Sequence, residues 1–339
     1  MSEELAGLTV GLIGAGNIAH LHVAAWKALG ARILVHSLEG AETMAEQYGL
    51  EVAASLDGCL AGAEFVDVVT PSATHKEVTL AAIKAGRNVI CEKPLTLTAA
   101  DSHEVIAAAA AAGVRIYPAH VVRFFPAYVA AHSAIQAGRI GDVAVARFFR
   151  QASSPAGGWY GDVAHSGGVI MDLMVHDLDQ ARWMCGDVTK VYAVQNPPTV
   201  DGISPLTVAA HVTLTHASGA ISHCRATWAA AGSAFQSGYH IAGSTGVLKY
   251  TSAADTGYAE ELPDGGAAAD LLIPANTLGE SPYLTQLREF AVALRGGPEP
   301  RVLAPDGAAA VYLAEAARAS METGGVIDMV TFDPTGAAA

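Results

Sequence analysis

Val10-Gly11-Leu12-Ile13-Gly14-Ala15-Gly16-Asn17-Ile18-Ala19 sets the fold class. A short apolar run, Thr9–Ile13, ends in a glycine-rich turn that opens a helical stretch, Ile18–Leu29. A dinucleotide fingerprint needs a tight-turn residue, a second small residue where pyrophosphate approaches the backbone, and a third for helix–strand packing. Gly14, Gly16 and Ala19 supply them in that order. The helix start then offers unpaired N–H groups to phosphate, which makes Gly14, Gly16, Asn17 and Ile18 cofactor-binding candidates. The alternative is a tight strand–helix turn that binds nothing. A lone G-x-G-x-x-A does not separate the two, but its strand–turn–helix setting favours the dinucleotide.

Outward from this turn, apolar runs and helical stretches alternate. Strands are expected at Thr9–Ile13, Ala31–His36, Phe65–Thr70, Asn88–Cys91 and Arg115–Pro118. Helices are expected at Ile18–Leu29, Ala41–Tyr48, Thr74–Ala85 and Ala99–Ala112, closed in turn by Gly30, Gly49, Gly86 and Gly113. Such βαβα alternation reads as a doubly wound parallel sheet. The pattern changes after Arg123, giving expected domains of residues 1–123 and 124–339. The second part reads as α+β: helices at Ala127–Ala137, Ile170–Met184, Tyr283–Leu294 and Pro305–Thr323, with strands at Val143–Arg150, Lys190–Val194, Leu206–Thr215, Ala220–Ala229, Tyr239–Ile241 and Val247–Tyr250. The alternation in Val208–Leu214 fits a large, open, mostly antiparallel sheet with one covered face. Gly257–Ala269 reads as a surface loop and Gly336–Ala339 as a frayed tail.

Composition narrows the function classes. The chain has 339 residues, 51% of them hydrophobic and 15% charged, with a formal net charge of −14. No Lys/Arg cluster is present to neutralise phosphates, which argues against a nucleic-acid partner. No basic amphipathic helix or bilayer-length apolar run points to a membrane. The four cysteines are scattered without a C-x-x-C, so reduced thiols and a cytoplasmic location are expected. Glu3 and Glu4 stand where a signal peptide would carry positive charge.

The run Arg87–Cys91 ends in Glu92-Lys93-Pro94. Ligands bind at strand ends of open α/β sheets, and lysine is a compact charge whose pKa responds to burial. Alone, Lys93 would read as a solvated strand-end residue. Asp172 and His176 lie four apart in Gly167-Gly168-Val169-Ile170-Met171-Asp172-Leu173-Met174-Val175-His176, which on a helix is one face. An imidazole near neutral pKa suits proton exchange with an alcohol, and a carboxylate one turn away can orient it. A core histidine and a metal site compete with that reading; no third ligand can be placed, so no metal is expected. At the end of the second expected strand, Val35-His36-Ser37-Leu38-Glu39 has no acid at the strand end itself and no phosphate-clamping Arg or Lys after it. Glu39 would repel a 2′-phosphate, while His36 and Ser37 could tolerate one. Ser37 joins the cofactor-binding candidates, with NAD and NADP both open.

Together, Gly11–Ala19, Glu92-Lys93-Pro94 and the Gly167–His176 segment resemble the Gfo/Idh/MocA family, the glucose–fructose oxidoreductase and inositol dehydrogenase group. Thr70-Pro71-Ser72-Ala73-Thr74-His75 is similar to its T-P-N-x-x-H turn, with Ser72 for the usual Asn. His120-Val121-Val122-Arg123-Phe124 and Ile241-Ala242-Gly243-Ser244-Thr245-Gly246 match further segments. The resemblance implies a Rossmann domain, a C-terminal open-sheet domain for substrate binding and oligomerisation, a bound NAD or NADP, and a homodimer or homotetramer. It implies hydride transfer between nicotinamide and a ring carbon of a sugar, inositol or related polyol. Lys93, Asp172 and His176 then resemble the catalytic set, with proton carriage by Lys93 or by His176 both open. Thr70, Pro71 and His75 resemble residues lining the nicotinamide ribose, and Glu92 and Lys93 join them as cofactor-contacting candidates. His120, Arg123, Trp159 and Tyr160 are substrate-binding candidates. For Arg123 the alternative is a structural ion pair; for Trp159-Tyr160 it is a loop covering core. Two other functions fit the motifs: an NAD-cycling lyase or hydrolase acting on a glycoside, and a non-catalytic dinucleotide-binding sugar sensor.

Overall fold

The structure is a computed structural model that describes residues 7–156, 158–253 and 280–334. The expected loop at 257–269 and tail at 336–339 lie outside the described residues. Two compact units divide the chain: Met1–Phe125 with Gly279–Ala308, and Pro126–Leu278 with Ala309–Ala339. The first unit therefore takes back a late segment that the expected boundary assigned to the second.

In the first unit the strands are β1 (Thr9–Ile13), β2 (Arg32–His36), β3 (Glu51–Val52), β4 (Phe65–Val68), β5 (Asn88–Glu92) and β6 (Ile116–Ala119). Between them run α1 (Asn17–Ala28), α2 (Ala41–Tyr48), α3 (Leu56–Gly62), α4 (His75–Lys84) and α5 (Ala99–Ala112). All strands pair in parallel in the order β3-β2-β1-β4-β5-β6, the doubly wound order. The order reverses between β1 and β4, so the glycine turn after β1 sits at the switch point, where such sheets bind ligands. Buried on both faces, β4 and β5 read as near-continuous apolar runs. Asp67 breaks the run in β4.

On α1, Ala19, His22, Val23 and Trp26 repeat at helical spacing on the buried face. Opposite lies α9 (Pro282–Leu294), which begins on a proline at its first turn and buries Tyr283, Gln286, Leu287, Phe290 and Leu294. This packing is why Gly279–Ala308 belongs to the first unit. The Phe290 ring stacks on Tyr117 and meets Phe124 edge-on.

The second unit contains α6 (Pro126–Gln136), α7 (Val163–Ser166), α8 (Val175–Cys185) and most of α10 (Ala304–Thr323). Its strands are β7 (Val143–Ser153), β8 (Val188–Asn196), β9 (Val208–His216), β10 (Ile221–Ala229), β11 (Gln236–Gly243), β12 (Val247–Thr251) and β13 (Ile327–Asp328). They form one sheet in the order β12-β11-β7-β10-β9-β8-β13, antiparallel except for β7 with β10. Side chains alternate buried and exposed along β9 and β10, and α8 packs on β7 and β10. Across the other face Tyr192, Val194 and Ile221 are exposed.

The expected helix Ile170–Met184 is corrected in one respect. Residues Ile170–Met174 form a single π-helical turn that runs directly into α8. Such turns recur at functional sites because they re-aim side chains without ending the helix.

Candidate active site

The glycine turn has the shape a dinucleotide requires. Gly14 has φ +114°, and a Cβ there would sit 2.6 Å from the Val69 carbonyl oxygen. At Gly16 an added Cβ would meet nothing within 4 Å. The chain thus packs tightly on one side of the turn and leaves room on the other. Gly16 caps α1 without a side-chain hydrogen bond, so the first-turn N–H groups stay available to an anion. Gly16 and Asn17 are exposed there, and Ile18 is half-buried. The residues present fit a bound pyrophosphate. At the end of β2, Ser37 is half-buried while Leu38 and Glu39 are exposed.

Two further turns of the first unit are tied together. His75, the first residue of α4, is buried, with Nδ1 2.7 Å from the Pro94 carbonyl oxygen and Nε2 2.9 Å from the Thr70 carbonyl oxygen. Burial keeps its pKa below the usual histidine value, so the ring is neutral and donates to one carbonyl at a time. It bridges the Thr70–Pro71 turn and the Lys93–Pro94 turn, whose peptide bond is cis. Lys93 itself is half-buried.

Beneath Lys93 lies a charged network that sequence reading missed. Glu92 is buried: one carboxylate oxygen accepts the Lys93 backbone N–H at 2.9 Å and the other lies 3.2 Å from His22 Nε2. His22 Nδ1 lies 2.8 Å from Asp67 Oδ2, which also accepts the Trp26 indole N–H at 2.6 Å. The Glu92 carboxylate, expected at the cofactor, is instead turned into the interior of its unit. One signal was available: Asp67 is an acid inside the apolar strand Phe65–Val68, and a buried charge demands a partner.

Burial works against charge on His22, but Asp67 and then Glu92 outweigh it and push its pKa up to about 10. Its stabilisation is therefore complete below the unfolded value near 6.5 and is lost as pH rises toward 10. His75, His211 and His216 are shifted the opposite way, so their contributions change below that window. Burial of Cys59 and Cys185 raises both thiols to about 11, so their effect begins nearer pH 9. Urea denaturation between pH 6.5 and 8.5 should thus show stability falling by on the order of 2 kcal/mol. A stability that is flat or rising over that range would contradict a charged His22.

Arg123 takes the structural alternative. Buried in the first unit, it lies 3.2 Å from Asp306 Oδ2 and donates to the Arg301 carbonyl oxygen at 3.1 Å. The Arg301 guanidinium covers the Phe124 ring. His120 is buried at the end of β6.

In the second unit, Gly168 has φ +71°, a backbone conformation that favours glycine and sets the entry to the π turn. Its N–H donates to the Ser166 hydroxyl at 2.9 Å, and that hydroxyl donates to the Tyr160 carbonyl at 2.7 Å. These bonds hold the Trp159–Tyr160 loop against the start of the helix. Trp159 and Tyr160 stack on each other, and Tyr160 meets buried Trp228 edge-on, so Tyr160 covers core through its ring. Asp172 lies on the π turn and is half-buried; His176 is buried on the first turn of α8. Next to His176, Asp177 is fully buried and accepts two bonds of 3.1 Å from Arg150 of β7. That pair fastens α8 to the sheet. Among the described residues no group of three His, Cys, Asp or Glu is arranged to hold a metal, the four cysteines are free and buried, and no helix is long and apolar enough to cross a membrane.

A doubly wound sheet with a glycine turn at its switch point, followed by a mixed sheet carrying an Asp/His helix, defines a two-domain nicotinamide-dependent oxidoreductase. Residues 8–120 match the oxidoreductase family with an NAD-binding Rossmann fold, and residues 128–249 match the GFO/IDH/MocA C-terminal domain. The chain belongs to the Gfo/Idh/MocA family of NAD(P)-dependent oxidoreductases. It is 38% identical to 1,5-anhydro-D-fructose reductase of Ensifer adhaerens over 52% of this chain and 56% of that protein. It is 29% identical to inositol 2-dehydrogenase of Rhizobium meliloti (strain 1021) over 91% of this chain and 94% of that protein. The crystal structure of GenD2 from gentamicin A biosynthesis in complex with NAD superposes with a TM-score of 0.83 at 26% identity, covering 96% of this chain and 97% of that one.

Proposed function

We propose that the protein transfers a hydride between nicotinamide and a carbinol carbon of a sugar, inositol or related polyol. Support comes from full-length similarity to an inositol 2-dehydrogenase, taken with the retention of Lys93, Asp172 and His176 in one chain. A sensor would need the dinucleotide turn but not all three. Bound dinucleotide supplies the hydride acceptor or donor. His176 exchanges the hydroxyl proton, Lys93 hydrogen-bonds the same oxygen and stabilises its developing negative charge, and Asp172 orients the imidazole or a neighbouring hydroxyl. Thr70, Pro71 and His75 shape the nicotinamide end, and Gly14, Gly16, Asn17 and Ile18 hold the pyrophosphate. His120 and Trp159 remain substrate-binding candidates.

NAD is the proposed cofactor: Glu39 follows the end of β2, and no Arg or Lys stands in His36–Glu39 to hold a 2′-phosphate. A spectrophotometric screen of sugars and inositols with NAD and with NADP tests both parts. Turnover with net dinucleotide reduction, at least about tenfold better with NAD, is the expected result. Substrate turnover without an absorbance change would favour the cycling lyase or hydrolase, no turnover a sensor, and NADP preference would remove the cofactor assignment. We further propose a cytoplasmic homodimer or homotetramer, since the uncovered sheet face carries Tyr192, Val194 and Ile221. A monomer in sedimentation equilibrium would remove the oligomer.

A further inference from the structure

His22 has a carboxylate oxygen at each ring nitrogen: Asp67 at Nδ1 and Glu92 at Nε2. An ionised carboxylate only accepts hydrogen bonds, so satisfying both requires both nitrogens to donate, which only the imidazolium does. The ring is wholly buried, and the other groups facing it are the Trp26 indole, which shares Asp67, and the Tyr283 ring at 5.9 Å. Cys91, one residue before Glu92, is a buried thiol that Glu92 and Asp67 hold further in its neutral form. The second oxygen of Glu92 accepts the Lys93 N–H. A chain of contacts thus runs from the α1 interior, through Glu92, to the backbone of the residue proposed to polarise the substrate oxygen.

We propose that His22 is a positioning residue for catalysis: held as an imidazolium between Asp67 and Glu92, it fixes the Glu92 carboxylate and through it the orientation and charge environment of Lys93. This assignment rests on the reading of Lys93 as a catalytic group. Without the imidazolium, Glu92 is a buried carboxylate left with the electrostatic pull of the Lys93 ammonium. It then either takes up a proton or draws that ammonium away from the substrate. The device keeps Glu92 satisfied from behind, which fixes the carboxylate that accepts the Lys93 backbone N–H.

His22→Gln tests it, because Gln keeps a donor for one carboxylate and turns a carbonyl toward the other. The expected result is a fall in kcat of about ten- to hundredfold, as for misplacement of a catalytic group by an ångström. The Kd of NADH should stay within about twofold, and the pH profile of kcat should shift. In a Lys93→Ala background the same change should cost less than about twofold, since the two residues act in series. A purely structural role predicts the opposite: equal losses in both backgrounds, lowered melting temperature and an unshifted pH profile. That outcome, or wild-type kcat in folded His22→Gln, overturns the assignment.

Should His22→Gln not fold, Asp67→Asn leaves Glu92 and Lys93 in place and gives the same readouts. An independent check on the wild type is the spectrum of 15N-histidine-labelled protein at pH 8.5. One imidazolium carrying two N–H protons should persist among the 13 histidines; its absence removes the charged state. A protein that oxidises no polyol would remove the functional reading yet leave that signal in place. An active dehydrogenase indifferent to His22→Gln would remove this assignment alone.

Discussion

Lys93→Ala is expected to lower turnover about 10³-fold while NADH still binds, the scale found when a single donor to a developing oxyanion is removed. Lys93 follows β5 at the carboxyl edge of the parallel sheet, where its backbone is fixed on one side by Glu92 and on the other by the Pro94 carbonyl held against His75. Removing the side chain leaves those contacts in place, so folding and the glycine turn should be unaffected. His176→Ala should cost about 10²- to 10⁴-fold, the range for a general acid–base group. Rates are measured with the best substrate from the polyol screen, and NADH binding by fluorescence titration. Both variants losing kcat with cofactor affinity intact is the expected outcome. Wild-type turnover in either removes that residue from the chemistry, and a shared loss of NADH binding would place the defect in the cofactor site instead.

Breaking the Arg150–Asp177 pair should strongly destabilise the second unit. Burial raises the Asp177 pKa despite the pull of Arg150, so desolvation of the carboxylate exceeds what its partner returns. The pair is a poor net source of stability, yet either member alone would be a buried, uncompensated charge. Arg150→Ala should therefore destabilise by about 3–5 kcal/mol. For a unit of this size that lowers the melting temperature by on the order of 10 °C. The double variant Arg150→Met, Asp177→Leu should recover most of that loss, because apolar replacement of both partners removes the stranded charge. Calorimetry on the two variants decides it: a single variant as stable as wild type would mean that the carboxylate is not charged in the fold. The double variant also bears on the site, since Asp177 adjoins His176. If the pair sets the angle of α8, activity should stay low even where stability returns.

How far the site could be read from the chain depended on the range of the interactions involved. Helices α2 and α5 and strand β1 have the expected limits because apolar spacing, a capping glycine after each helix and, for α5, the Thr98 cap are all local features. Strand β3 was missed because two exposed residues carry no periodicity, and α3 because seven residues rich in Gly and Ala present almost no polar contrast. The π turn before α8 was read as α-helix, since both patterns bring Asp172 and His176 toward one side. Arg123 was open until Asp306, far along the chain, proved to be its partner.

The glycine turn, Glu92-Lys93-Pro94 and the Asp172/His176 segment identified the family and the doubly wound sheet from residue order alone. Each is a short-range pattern whose geometry the backbone imposes locally: a tight turn, a strand end, a helix face. Only the folded chain decided what supports them. His22 stands 45 residues from Asp67 and 70 from Glu92, and nothing in a helix-facing histidine announces two carboxylates. Parallel strands β4 and β5 bring those acids to the buried face of α1, where low dielectric makes their partnership obligatory. Sequence order thus identified Lys93 as the residue to ask about, and burial of the charges behind it determined how it is held.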